Sequence, residues 1–265
     1  MVGLPIAFAQ AGWLVSICGM IGGYIVSLYC GVILWRALNV YDRPIPTFMD
    51  LGHEVAGLPG KIVTAFSVYG TCIGASILFI ILAADQFVVI FGDNVMDSKL
   101  WALIFVCITI PFAAFKTLGH VAFVAVFGAL ASAVVYVVVV VQTIMEAKDG
   151  TGLTGLETTT EIINTDNPMN IITAINTFIF SFGASVIFAE SNIEMKNRNK
   201  FPLAVGLAYG VALALYMSLS AICYAVYGRS LLTAPGGSII GALPNNWATK
   251  MMAAMFLVHL LSAFL

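Results

Sequence analysis

Long apolar blocks separated by short polar segments dominate the chain, and block length sets the first expectation. A helix crossing the hydrocarbon core of a bilayer needs about 20 apolar residues. Residues 1–35 contain no charged residue and no histidine. That run is too long for one straight crossing, and Pro5 and the Gly12-Trp13 pair divide it. The expected helices are 1–11 and 14–35, then 62–91, 100–115, 121–145, 172–195 with a break near 183, 203–227 and 247–265. Residues 134–141 are nearly all β-branched, yet an unpaired strand edge does not survive in lipid, so a helix is expected there too. Residues 48–55, short and mixed, are expected to lie as a helix at the interface. Both ends read as cut. The chain opens in an apolar run without the basic flank of a signal peptide, and its last uncharged run, 251–265, has no polar flank.

Composition narrows the class. The chain is 61% hydrophobic and 9% charged, with a mean hydropathy of +1.02, whereas a soluble domain is about a quarter charged. Soluble enzymes, nucleic-acid binders and disordered linkers are excluded together. The 13 acids against 11 bases also rule out a polybasic nucleic-acid partner. Cys18, Cys30, Cys72, Cys107 and Cys223 lie in apolar runs with no metal-ligand spacing, and are expected to be small buried hydrophobes. The fold class is therefore an all-α polytopic membrane protein, an integral multi-pass chain whose first partner is the lipid bilayer. With Gly12 outside, the inner segments hold Arg36, Arg43, Lys61, Lys116, Lys196, Arg198 and Lys200, and the outer ones Lys99, Lys148, Arg229 and Lys250. Seven bases against four favour that orientation. It places the acids Asp93, Asp97, Glu146, Asp149, Glu157, Glu161 and Asp166 outside.

Two places break helix rules within apolar blocks. At Gly3-Leu4-Pro5 a proline removes a backbone donor. Ser181-Phe182-Gly183-Ala184-Ser185 is a small polar patch in mid-span, soon followed by Glu190. Non-helical backbone in a bilayer persists only where it lines a cavity or is buried in protein. Paired breaks at matching positions of two repeats point to a transporter site, while small residues alone also serve close packing.

These residues carry a resemblance. Gly3-Leu4-Pro5-Ile6-Ala7-Phe8 followed by Ala11-Gly12-Trp13 resembles the first helix of the amino acid/auxin permease family. Thr47–Gly52 with Gly57 resembles that family's first cytoplasmic loop, Phe180–Gly183 with Glu190 and Glu194-Met195-Lys196 its sixth helix and exit, and Tyr224–Gly228 the end of its seventh. The resemblance implies a LeuT-type inverted-repeat fold, truncated at both ends, and secondary transport of amino acids. It implies a substrate site made by the unwound backbone of helices 1 and 6: Gly3, Leu4 and Pro5 on one side, Phe182, Gly183, Ala184 and Ser185 on the other. Thr71, Cys72 and Ser76 in helix 3 are candidates for the side-chain pocket. A sodium site, where this fold has one, would use helices 1 and 8, and Ser262 is the hydroxyl available in the latter.

Ionisable residues within spans are functional candidates by default. Asp85 lies about 6 residues, or around 9 Å, from the outer end of its helix, and reads either as a gate or proton acceptor or as a hydrated vestibule acid. Glu190 reads either as an inner-gate or coupling residue or as a structural partner of Lys196 or Arg43. His259 titrates in the physiological range, but on an apolar helix it reads first as a packing residue. Trp13, Trp35, Trp101 and Trp247 near span ends are expected to be interface anchors. The leading expectation is an amino-acid transporter working by alternating access and coupled to H+ or Na+, with no other cofactor and no metal. The alternative is a non-transporting membrane sensor or a truncated regulatory isoform. A seven-helix receptor is disfavoured by the two breaks, and a membrane enzyme by the lack of a nucleophile–base arrangement.

Overall fold

The computed structural model describes residues 1–41, 45–92, 95–113, 118–149 and 159–264. Arg43, Asp93, Lys116 and Glu157, used above in the charge tally, lie outside the described residues. Among the described residues the chain forms α-helices and short 3-10 turns and no strand. The helices are α1 (Leu4–Asn39), α2 (Phe48–Phe91), α3 (Ser98–Ala113), α4 (Leu118–Asp149), α5 (Pro168–Ser181), α6 (Phe188–Glu194), α7 (Phe201–Tyr227), α8 (Ile239–Ala242) and α9 (Trp247–Phe264).

Among the described residues, six helical stretches are long and apolar enough to cross a membrane: Leu4–Asn39, Phe48–Phe91, Val126–Lys148, Pro168–Glu194, Arg198–Thr233 and Trp247–Phe264. This multi-pass, all-helical architecture is the expected class. The expected helices 1–11 and 14–35 are here one run, interrupted at Gly12, whose φ of 79° and ψ of 174° no α-helix contains. The 16-residue α3 is too short to count with the six. α2 is likewise interrupted, at Ala56 and Gly57, which sets 48–55 apart from the long helix that follows. Thr47 starts that short piece: its hydroxyl accepts from the Asp50 N–H at 3.1 Å and donates to the Asp50 carboxylate at 2.7 Å, satisfying a donor that a helix start leaves open.

The residues group into two compact units. One contains Ala7–Ile73 and Glu161–Ser220. Its core joins Leu34 and Leu38 of α1 to Phe188 of α6 and Phe201, Val205 and Tyr209 of α7, with Phe182 among them. Trp35 closes the edge by donating its indole N–H to the Arg198 carbonyl at 2.8 Å. The other unit contains Val2–Ile6, Gly74–Thr160 and Ala221–Leu265. There α4 packs along α9 so closely that a Cβ on Gly128 would lie 1.9 Å from Ser262 Oγ. Phe87, Phe91 and Trp101 form a stack with centroids 5.0–6.4 Å apart. Trp101 is thus a buried stacking partner and not an interface anchor.

The expectation for the cysteines needs correction. Only Cys223 is buried, while Cys18, Cys30, Cys72 and Cys107 are exposed. In an apolar span an outward helix face is itself a suitable place for a small hydrophobe. Large apolar side chains share those outward faces, including Phe66, Ile25 and Leu207.

Candidate functional site

The interruption after α5 is built by residues 182–187. α5 ends at Ser181, Phe182 takes φ −109° and ψ 18°, and a 3-10 turn over Ala184–Ile187 leads into α6. Two short bonds tie the last turn: Phe182 N–H to the Ile179 carbonyl at 3.2 Å and Gly183 N–H to the Phe180 carbonyl at 3.0 Å. The Phe182 carbonyl, released from the helix, accepts the Tyr209 hydroxyl of α7 at 2.8 Å. The Phe182 ring is buried against Tyr24, Tyr209 and Tyr216, at centroid distances of 6.5, 5.8 and 6.0 Å. Gly183 and Ala184 are exposed, and Ser185 is half-buried. Phe182 therefore anchors the interruption, and the two residues that follow it are exposed, the Ala184 backbone within hydrogen-bond reach of the Tyr209 hydroxyl.

Gly12 makes the second interruption, and its unmatched groups are also met within the same unit. Trp13 and Leu14 N–H donate to the Glu161 and Ile162 carbonyls at 3.0 and 2.9 Å. Asn164 answers from the other side, its N–H reaching the Ala11 carbonyl at 3.2 Å and its Nδ2 the Ala9 carbonyl at 3.1 Å. An extended segment thus supplies the partners that the missing helical turn would have given, as buried backbone groups require.

Gly3, Leu4 and Pro5 belong to the other unit. α1 begins at Leu4, so Leu4 and Pro5 occupy its first turn and only Gly3 is outside the helix. A proline there removes an N–H that has no helical acceptor in any case. Just before it, the Val2 carbonyl accepts Ile239 N–H at 3.0 Å. Of the pocket candidates on α2, Thr71 is exposed and donates its hydroxyl to the Ser67 carbonyl at 2.8 Å. Cys72 is exposed and Ser76 half-buried.

The whole chain, residues 1–265, matches the family model described as "Transmembrane amino acid transporter protein". The chain belongs to that family. Among curated relatives it is 22% identical over 240 residues to "Amino acid transporter AVT1D" of Arabidopsis thaliana, covering 87% of this chain and 42% of the relative. It is 22% identical over 256 residues to "Amino acid transporter ANT1" of Arabidopsis thaliana, covering 94% of this chain and 57% of that one. The chain thus spans about half the length of the relatives it matches. No solved structure matches it. The family is one of transporters and not of enzymes.

The remaining candidates of this family member lie on α2, α6 and α9. Asp85 is half-buried on α2, and Gly236, at φ 68°, sits where a Cβ would lie 3.2 Å from its carboxyl carbon. Glu190 is exposed in the first turn of α6 and, among the described residues, makes no ion pair with Lys196. His259 Nδ1 lies 2.8 Å from Ser132 Oγ and 3.1 Å from the Gly128 carbonyl, and its ring stacks on Phe256 at 6.0 Å. A proton on Nδ1 lets it donate to both. Ser262 donates to the His259 carbonyl at 2.7 Å. His259 and Ser262 hence seal the α4–α9 contact.

Two residues carry more than sequence reading assigned. Tyr209 holds the Phe182 carbonyl, and nothing in its local sequence marks it for that role. Glu146 is buried inside α4, with Tyr227 as its partner.

Proposed function

We propose that this chain forms the membrane-embedded part of a secondary active transporter that moves amino acids by alternating access, driven by an H+ or Na+ gradient. The observation that carries the reading is the interruption at 182–185, where the helix stops and the exposed Gly183 and Ala184 follow a ring anchored by three tyrosines. An amino acid has a carboxylate and an ammonium at fixed spacing. Backbone donors and acceptors released from a broken helix meet those groups whatever the side chain is. Phe182 and Ser185 flank those two residues. Gly3, Leu4, Pro5, Thr71, Cys72 and Ser76 are further candidates for substrate contact, and Asp85 and Glu190 for gating. The relatives' printed names, all amino acid transporters, support the substrate class.

The test is Gly183→Leu. A Cβ at 183 would stand 3.0 Å from the Phe180 carbonyl, so that the local backbone has to give by a few tenths of an ångström, and the rest of the leucine would cover the surface of the interruption. Uptake of a radiolabelled amino-acid mixture into proteoliposomes should be lost, with the amount of protein inserted unchanged. Normal uptake by this variant would overturn the placement of the site.

A further inference from the structure

The end of the α4–α9 contact formed by the last turns of α4 and the first turn of α9 holds a polar cluster that the transport reading does not use. Gln142, Thr143 and Glu146 lie one turn apart on α4 and are all buried, Glu146 to within 2% of its surface. Gln142 donates through Nε2 to Asn246 Oδ1 at 3.0 Å, and its Oε1 accepts the Thr249 hydroxyl at 3.1 Å. Thr143 Oγ1 lies 3.8 Å from Cys223 Sγ. One Glu146 oxygen accepts the hydroxyl of the fully buried Tyr227 of α7. The other, Oε1, has no hydrogen-bond partner among the described residues. Beside it is a cavity of about 360 Å³, lined by Val138, Val141, Gln142, Glu146, Pro244 and Asn246. Asn246 at its rim is exposed.

This geometry treats the two forms of Glu146 very differently. As a carboxylate it leaves a charged oxygen buried without a donor, and no cation among the described residues compensates it, which is among the costliest arrangements in a protein. As a neutral acid it leaves at most one hydroxyl unmatched. The packing seen here therefore accommodates the protonated form. Loss of the proton must change the packing, by admitting water from the cavity or by moving the end of α4 away from Tyr227. Of the titratable groups on α7 and α9, Tyr227 bonds it and Cys223 lies beside Thr143, Tyr209, Tyr216 and Tyr224 stand further along α7, and His259 sits against Gly128 and Ser132, several turns away along α4. Lys148 on α4 and Lys250 on α9 are exposed, and Arg229 follows α7. A proton whose binding is tied to a helix position is what gradient-driven transport needs.

We infer that Glu146 is the residue that binds and releases the coupling proton, with Tyr227 as its hydrogen-bond partner. This rests on the transport reading above and selects H+ over Na+ within it. Two readouts keep the two claims apart. Infrared difference spectra of the reconstituted protein across a pH titration should show a protonated carboxylic-acid band at neutral pH that Glu146→Gln removes. Tyr227→Phe, which keeps the acid, should change the proton concentration at half-titration of that band by about tenfold, the size expected for losing one hydrogen bond to a charged group. In proteoliposomes, an inward acid gradient should accelerate amino-acid uptake by the wild type and leave Glu146→Gln unaffected, while exchange without a gradient persists. A band unchanged in Glu146→Gln, or undiminished gradient stimulation in that variant, would overturn the assignment. Should Glu146→Gln not fold, a band insensitive to Tyr227→Phe would overturn it equally. A wild type that takes up no amino acid would instead overturn the transport reading, and the infrared result would still decide the proton site.

Discussion

Replacing Gly12 with alanine should be the most damaging small substitution in α1, and its cost divides into two parts. The first is conformational. At φ 79° and ψ 174° the backbone sits in a region open essentially to glycine alone, and a side chain there costs on the order of 1–3 kcal/mol. The second part is steric. A Cβ would lie 2.8 Å from the Ile162 carbonyl oxygen, 2.9 Å from Asn164 N and 2.9 Å from Ile163 Cα. All three are backbone atoms, so the segment 161–164 has to move. Doing so stretches the bonds from Trp13, Leu14 and Asn164 that replace the missing turn, and losing two of them costs about 2 kcal/mol more. The sum is about 4 kcal/mol, or a fall in melting temperature of about 10 °C for a chain of this size. Gly57→Ala is the internal reference, since Gly57 also has a positive φ, 63°, but nothing within 4 Å of its Cβ position. It carries the first part alone. Gly210→Ala, in the middle of α7 with equally open space, should be neutral or gain about 0.5–1 kcal/mol from helix propensity. Thermal unfolding of the three variants in one detergent orders them. If Gly12→Ala melts no lower than Gly57→Ala, the extended segment does not clamp the α1 interruption and the argument fails.

Three further outcomes test the packing. Tyr209→Phe keeps the ring contacts with Phe182 and Phe188 but leaves the Phe182 carbonyl without its donor, so stability should fall by about 1–3 kcal/mol, read as a lower melting temperature. Asn164→Ala removes the donor to the Ala9 carbonyl and should cost a similar amount, also read by thermal unfolding. Gly128→Ala drives a methyl into Ser262 Oγ and should cost about 1–3 kcal/mol by overpacking. Ser262→Gly in the same chain should restore most of the loss, and no rescue would mean that the α4–α9 contact is not the one described.

What the amino-acid order made legible was whatever depends on neighbours along the chain. The apolar blocks, the interruption at Gly12 and the one near Gly183 follow from local composition, because a helix in lipid must satisfy its own backbone and a glycine-rich stretch marks where it does not. What answers each interruption was not legible. The Ala9 carbonyl is met by Asn164 and the Phe182 carbonyl by Tyr209, partners 155 and 27 positions away, and no local pattern announces either. Glu146 shows the same limit with larger consequences. As the first charge after an apolar run it reads as the start of an outer loop, and hydropathy alone ends the helix at Met145. The structure continues α4 to Asp149, which turns Glu146 inward along the same helix row as Gln142. Tyr227, 81 positions further on, then supplies a hydroxyl that makes burial of the acid tolerable. A polar residue at a span end is thus assigned to water or to protein by its partner across the fold. In this chain the partners of the buried polar groups, Asn164, Tyr209 and Tyr227, are where the chemistry collects. Hydropathy divided the spans but was blind to these three: Tyr209 and Tyr227 differ from their apolar runs by one hydroxyl, and Asn164 is one polar residue among several in its segment.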